Sequence, residues 1–168
     1  MAQVIIRPYK TLDHEAVQEI FWETTTRTQF ASINERVDFQ EKYLESYLTQ
    51  LALVAELKGQ VVGYIVASIS TDSDGAYWSE HLSLFEDLYH RYPAHLHINC
   101  AEEARGNGVG SLLVEKLEAD LKVIGVGGLH LITLAGARNV SFYQKLGFNH
   151  KVERLWNGKP LLFLGKTL

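Results

Sequence analysis

The run Arg105-Gly106-Asn107-Gly108-Val109-Gly110 constrains this chain more than any other segment. It follows a strand-like stretch, His95-Leu96-His97-Ile98-Asn99-Cys100, and precedes a stretch in which Leu112, Leu113, Leu117 and Leu121 form a helical stripe. At such a corner, glycines let successive amides turn toward one point, and the first amides of the helix have no carbonyl a turn behind them. With the helix dipole and the charge of Arg105, the loop through Ser111 is an anion site suited to a pyrophosphate. The dinucleotide fingerprint is not met, because Ser111 stands where its third glycine belongs. The phosphate loop of nucleotide hydrolases is not met either, since no Gly-Lys-Ser/Thr follows.

The rest of the chain supplies the frame. Val4 to Arg7 is a β-rich run stopped by Pro8. Asp13 stands at an N-cap position ahead of Val17, Ile20 and Phe21 at helical spacing. A second helix is predicted from Asp38 to Leu48, with Phe39, Tyr43 and Tyr47 in one stripe. Leu51 to Leu57 and Gln60 to Ile69 read as two strands joined by a Lys58-Gly59 hairpin turn. Ser70 to Gly75 reads as loop, and Leu82 to Tyr89 as an inserted helix halted before Pro93. After the glycine loop and its helix, Leu129 to Thr133 is a strand and Asn139 to Leu146 a helix closed by Gly147. Phe148 to Arg154 and Pro160 to Leu164 are the last two strands. The order predicts a three-layer α/β/α fold, one domain over residues 1–168, with a mixed and mostly antiparallel central sheet.

Composition narrows the partners. Hydrophobic residues make 46% of the 168 and charged ones 21%, the profile of a globular chain. A net charge of −4 gives no global field for nucleic acid. No apolar run is long enough to span a bilayer, and the N-terminus has no secretory pattern. The single Cys100 excludes an internal disulfide, so the expected setting is the cytoplasm, with no membrane partner.

Arg105, Gly108 and Gly110 match the Arg/Gln-x-x-Gly-x-Gly/Ala motif of the GNAT family of acetyltransferases, which that family places between a strand and a helix. Further on, Asn139-Val140-Ser141-Phe142-Tyr143-Gln144-Lys145-Leu146-Gly147-Phe148 resembles the family's second motif, an Asn followed by Phe-Tyr-x-Lys-x-Gly-Phe. The resemblance covers roughly residues 52 to 168, and Tyr92 to Ile98 also resembles the strand of the O-GlcNAcase acetyltransferase-like branch and its bacterial relatives. It implies an acyl-CoA N-acyltransferase fold, acetyl-CoA as co-substrate, and a primary amine of a small molecule or peptide as acceptor. It also allows a homodimer. Asn99, Glu102 and Ala104 depart from the common family pattern, so neither the acceptor nor the base is carried over.

Acetyl transfer from a thioester to an amine needs a neutral nucleophile, a stabilised oxyanion and a proton for the departing thiolate. The resemblance assigns the proton to Tyr143, whose reference pKa of about 10 lies above the thiol's of about 8.5. It assigns the pantetheine amides and the oxyanion to the backbone at Ile98, Asn99 and Cys100. Asn139 would bind the cofactor arm, flanked by Phe142 and Lys145, although Lys145 reads equally as a solvated helix-end charge. For the base, His97 and Glu102 stand beside His95 and Glu103. Alternation puts His95, His97 and Asn99 on one strand face, either as a polar row toward the acceptor or as buried histidines satisfied by neighbours. A zinc site using His90 or Cys100 with this pair is disfavoured, because Cys100 falls on the other face, and no metal is expected. Phe21, Trp22, Tyr77 and Trp78 lie in segments near the expected acceptor entrance, although aromatic residues at helical spacing more often belong to a core. Two other readings stay open at this level: a catalytically silent acetyl-CoA-binding or interaction module of the same fold, and a protein binding another phosphate at the glycine loop.

Overall fold

The computed structural model describes residues 3–71 and 80–168. Part of the predicted Ser70–Gly75 loop, together with Tyr77 and Trp78, lies outside the described residues. The strands are β1 (Val4–Pro8), β2 (Leu51–Leu57), β3 (Gln60–Ser68), β4 (Ala94–Cys100), β5 (Gly128–Leu134), β6 (His150–Trp156) and β7 (Lys159–Thr167). They form a mixed sheet in the order β1-β2-β3-β4-β5-β7-β6, with flanking helices. The β4–β5 pair is parallel, and the pairs β1–β2, β2–β3, β5–β7 and β6–β7 are antiparallel. The chain divides into two compact units, one of Met1–Ala67 with His97–Leu117 and the other of Ser68–Leu96 with Glu118–Leu168.

In the first unit, Lys58 and Gly59 take φ of 53° and 81°, the left-handed pair that a two-residue hairpin turn requires. Helix α1 (His14–Thr24) buries Val17, Ile20 and Phe21 as its periodicity predicts. Asp13 differs from its expected role. It is helical and makes no side-chain cap to α1; its carboxylate accepts instead from Lys10 N at 2.8 Å and from both Arg7 Nη atoms at 2.8 and 2.9 Å. The Arg7 guanidinium holds this carboxyl below its ordinary value, and the pair offsets the cost of burying a charge here.

The second helical run begins earlier than its sequence suggests. Ser32 caps α2 (Ile33–Gln40) by accepting from Glu35 N, and the run continues through a π-helical turn (Glu41–Glu45) into α3 (Ser46–Leu48). Leu44 and Tyr47 join Val17, Ile20, Phe21, Val54, Tyr64, Val66 and Ala101 in one core cluster.

In the second unit, two short helices, α4 (Glu80–Ser83) and α5 (Glu86–Tyr89), occupy the predicted single helix. Arg154 on β6 fastens them by donating to the Leu84 carbonyl and to both oxygens of Asp87. Phe85, Tyr89, Tyr92, Leu161 and Phe163 make the core. His95 belongs to this interior and not to a polar row. It is 6% exposed and stacks on His130 at 5.3 Å, while His130 Nδ1 donates to Tyr92 O at 2.6 Å.

Helix α6 (Val109–Ile124) runs through both units and stops at Gly125, whose φ is 89°. Leu113, Leu117 and Leu121 are fully buried, worth roughly 1.5–3 kcal/mol each. Leu112 is 39% exposed, and Val114 takes the buried place expected for it, because the apolar stripe leans one residue further round.

Two adjacent glycines on the way into β5 test how tightly the second unit is packed. A Cβ on Gly128 would lie 2.2 Å from Arg91 O and 3.0 Å from Tyr92 Cα, whereas one on Gly127 meets nothing within 4 Å. Gly128→Ala is expected to lower stability by about 2 kcal/mol or more, because backbone atoms cannot swing aside, and Gly127→Ala by no more than about 0.5 kcal/mol. Denaturant midpoints of the two variants compare them, and equal midpoints would show that the Arg91–Tyr92 backbone yields.

Candidate active site

Strand β4 delivers four of the predicted site residues into the first unit. His97 is partly buried, with its ring edge-on to Tyr43 at 5.8 Å and Tyr47 at 5.1 Å. The Asn99 side chain donates to Tyr64 Oη at 2.7 Å, and burial raises the Tyr64 phenol well above its ordinary value. Burial likewise pushes the Cys100 thiol up to about 11, with the Arg105 charge pulling weakly the other way. Beside this strand end lies Gly63. A Cβ there would stand 3.1 Å from Cys100 Sγ, 3.3 Å from Asn99 O and 3.3 Å from Val109 Cγ1, so the lack of a side chain sets how closely β3 approaches. Ala101 N donates to Val62 O at 2.9 Å and fixes the exit of β4.

The chain then makes a 3-10 turn, Glu102–Ala104, whose first amide donates to Glu23 Oε1 at 3.1 Å. Glu102 and Glu103 themselves are exposed. Arg105, Gly106, Asn107 and Gly108 are exposed too, and Asn107 Nδ2 reaches back to Glu103 O at 3.4 Å. Gly106 and Gly108 have φ of 79° and 75°, and a Cβ on either would meet nothing within 4 Å. These glycines therefore serve backbone conformation, and the space over them is open. Val109 is buried as α6 begins, and Leu112 N reaches back to Gly108 O at 3.1 Å. The amides ahead of Leu112, those of Val109, Gly110 and Ser111, form the open end of the helix. With Arg105 alongside, this end carries the positive potential that a diphosphate needs.

The second predicted cluster lies in the second unit. Asn139 precedes α7 (Val140–Lys145), where its carbonyl accepts from Tyr143 N at 3.2 Å and its side chain accepts from Thr133 Oγ1 at 3.4 Å. Tyr143 is 5% exposed, packed edge-on against Phe142 at 5.1 Å and Phe148 at 5.7 Å. Phe148 N returns to Tyr143 O, and Gly147 closes the helix at φ 91°. Lys145 is exposed at the end of this helix. Lys166, from β7, donates to Leu146 O at 2.7 Å and pairs with Glu118 at 2.6 Å, which anchors the end of the tyrosine-bearing helix.

A cavity of about 570 Å³ opens in the first unit at the connection from α1 to α2, with Trp22, Arg27, Phe30 and Arg36 in its wall. Phe21, expected near the acceptor entrance, is core at 5% exposure, and Trp22 is the member of that pair that reaches the cavity. Among the described residues, no three His, Cys, Asp or Glu side chains gather as metal ligands, and no helix is long and apolar enough to cross a membrane.

The family model of the acetyltransferase (GNAT) family matches residues 14–148. The chain belongs to that family. Solved structures agree on the fold. The crystal structure of SsHAT is 27% identical over 98% of both chains, with a TM-score of 0.75. A ribosomal-protein-alanine N-acetyltransferase from Brucella melitensis is 23% identical over 98% of this chain and 99% of that one, with a TM-score of 0.67. The Salmonella typhimurium protein yncA, solved with its cofactor acetyl-CoA, is 19% identical over 98% of this chain and 93% of that one, at 0.64. The branch read from Tyr92 to Ile98 rests on that strand alone.

This GNAT acetyltransferase thus has a glycine loop whose open space, bare amides and arginine fit the diphosphate of coenzyme A. Sequence reasoning missed Arg27, Phe30 and Arg36. Arg27 sits inside the polar run Thr24–Thr28, with Phe30 and Arg36 following it, and an arginine within such a run was the available signal. Because the Cys100 thiol titrates near 11, iodoacetamide at pH 7.5 is expected to alkylate it at least about tenfold more slowly than a free thiol of reference pKa about 8.5. Rates measured by mass spectrometry check this, and labelling as fast as free cysteine would contradict the burial argument.

Proposed function

We propose that this enzyme transfers an acetyl group from acetyl-CoA to a primary amine by direct attack, with both substrates bound together. The observation that carries the reading is the loop from Arg105 to Ser111. Two glycines with left-handed backbone, an unobstructed space above them and the amide end of α6 form an anion cradle beside the end of β4. Acetyl-CoA supplies an activated thioester, and the work left to the protein is positioning, charge stabilisation and proton transfer.

In this reading Arg105, Gly106, Asn107, Gly108, Val109, Gly110 and Ser111 hold the diphosphate, and the backbone at Ile98, Asn99 and Cys100 holds the amide-bearing arm. The Asn99 side chain is turned to Tyr64, so the strand acts here through its main chain. Following the family resemblance, Asn139 and Phe142 flank the same arm and Tyr143 gives a proton to the leaving thiolate. His97, partly open and steadied between two tyrosine rings, is the better placed of the two proposed bases. Glu102 is exposed to solvent on the 3-10 turn.

Acetyl-CoA should raise the thermal midpoint by mass action. Gly108→Asp is expected to abolish that shift by placing a carboxylate against the diphosphate, whereas Gly108→Asn, which tolerates the same backbone, keeps most of it. Equal shifts in both variants would refute the cradle. Tyr143→Phe is expected to leave the acetyl-CoA shift in place and slow turnover about 10²-fold or more. An unchanged kcat would remove Tyr143 from proton transfer.

A further inference from the structure

The cavity between α1 and α2 is built around one fixed ring. The Trp22 indole N–H donates to Gln40 Oε1 at 2.7 Å, Gln40 Nε2 donates to Glu45 Oε1 at 2.5 Å, and Glu45 meets His14 Nε2 at 3.0 Å. The indole also packs edge-on against Phe21 at 4.9 Å and Phe30 at 5.8 Å. Its N–H is therefore engaged, and the ring face is what it offers. The Arg36 guanidinium lies over that face, 3.8 Å from the ring centroid.

The two arginines of the wall differ in charge balance. Arg27 is paired with Glu35 and lies over Phe30 at 4.5 Å. Among the described residues, no carboxylate pairs with Arg36. With its central carbon over the ring and no described carboxylate paired with it, this exposed guanidinium can take a carboxylate through two parallel hydrogen bonds. Next to it Ile33 is 81% exposed, an apolar side chain that a ligand would cover. The volume, about 570 Å³, lies in the range of small-molecule sites.

We propose that this cavity binds a small amine that carries a carboxylate, with the carboxylate on Arg36 and an apolar body against Phe30 and Ile33. Its identity as the acetyl acceptor rests on the function proposed above; its binding does not. The charge asymmetry decides the class. An amine without the carboxylate would leave Arg36 uncompensated under its bound ligand, and a diamine would add repulsion.

The test uses two probes that differ in the carboxylate alone, L-phenylalanine and 2-phenylethylamine, titrated calorimetrically into the full chain. L-Phenylalanine is expected to bind at least tenfold more tightly. Arg36→Gln, at an exposed position where folding is not at stake, should erase that difference while leaving 2-phenylethylamine unchanged. Equal affinities, a preference that survives Arg36→Gln, or failure of both probes to bind at millimolar concentration would each overturn the proposal. A parallel thermal shift with acetyl-CoA separates the two readings. Discrimination through Arg36 without an acetyl-CoA shift keeps the cavity and sinks the transferase function. An acetyl-CoA shift with equal kcat/KM for both amines sinks the cavity assignment alone.

Discussion

The close approach of β3 to the end of β4 at Gly63 is the constraint from which the anion cradle follows. Backbone and side-chain atoms of Asn99 and Cys100 at the end of β4 and of Val109 at the start of α6 lie within 3.3 Å of where a Cβ would be. Even alanine would press on a strand carbonyl, a buried sulfur and the first side chain of α6 at once. Since Val109 is the residue on which that helix turns inward, its seat beside Gly63 sets where the next amides point. The glycines of the loop are free in space, whereas this one is crowded. The loop supplies the conformation, and Gly63 supplies the position.

That difference explains what the sequence could and could not reveal. Gly106 and Gly108 were legible because their role is local: a strand, a flexible corner and a helical stripe are all written within one short window. The Lys58-Gly59 hairpin was legible for the same reason. Gly63 interrupts an apolar run without any local sign that another strand end lies against it, because its reason is a contact between β3 and residues far along the chain. Asp13 shows the opposite failure. A short polar side chain before an apolar stripe is the usual mark of a cap, yet Arg7 stands close enough across the turn to claim the carboxylate. A charge-assisted pair outcompetes the neutral cap bond, and nothing in the spacing reports which wins.

The π-helical turn at Glu41–Glu45 is a further feature that periodicity hides, and it organises the aromatic contacts of the first unit. Across this turn Phe39 packs against Phe21, Trp22 and Phe30 and also against Tyr43 at 4.7 Å, and Tyr43 and Tyr47 in turn bracket His97. The same turn lets Glu45 receive Gln40 and His14 together, and Gln40 is what holds the Trp22 indole. One irregular turn thus serves both the ring beneath Arg36 and the rings around His97.

Burial at the end of β4 also governs the reactivity of the thiol there. Cys100 is the chain's one thiol, and it is the last residue of that strand. With its pKa pushed up to about 11, roughly one molecule in 10⁴ carries the thiolate at neutral pH, and the thiolate is the nucleophilic form. Arg105, the nearest cation acting on it, opposes this shift without reversing it. Its charge lies in the exposed loop, where a diphosphate would neutralise much of it and leave the thiol still less acidic. An anion bound beside Arg105 would therefore make Cys100 less reactive still, so burial and the loop's charge balance act on this thiol in the same direction.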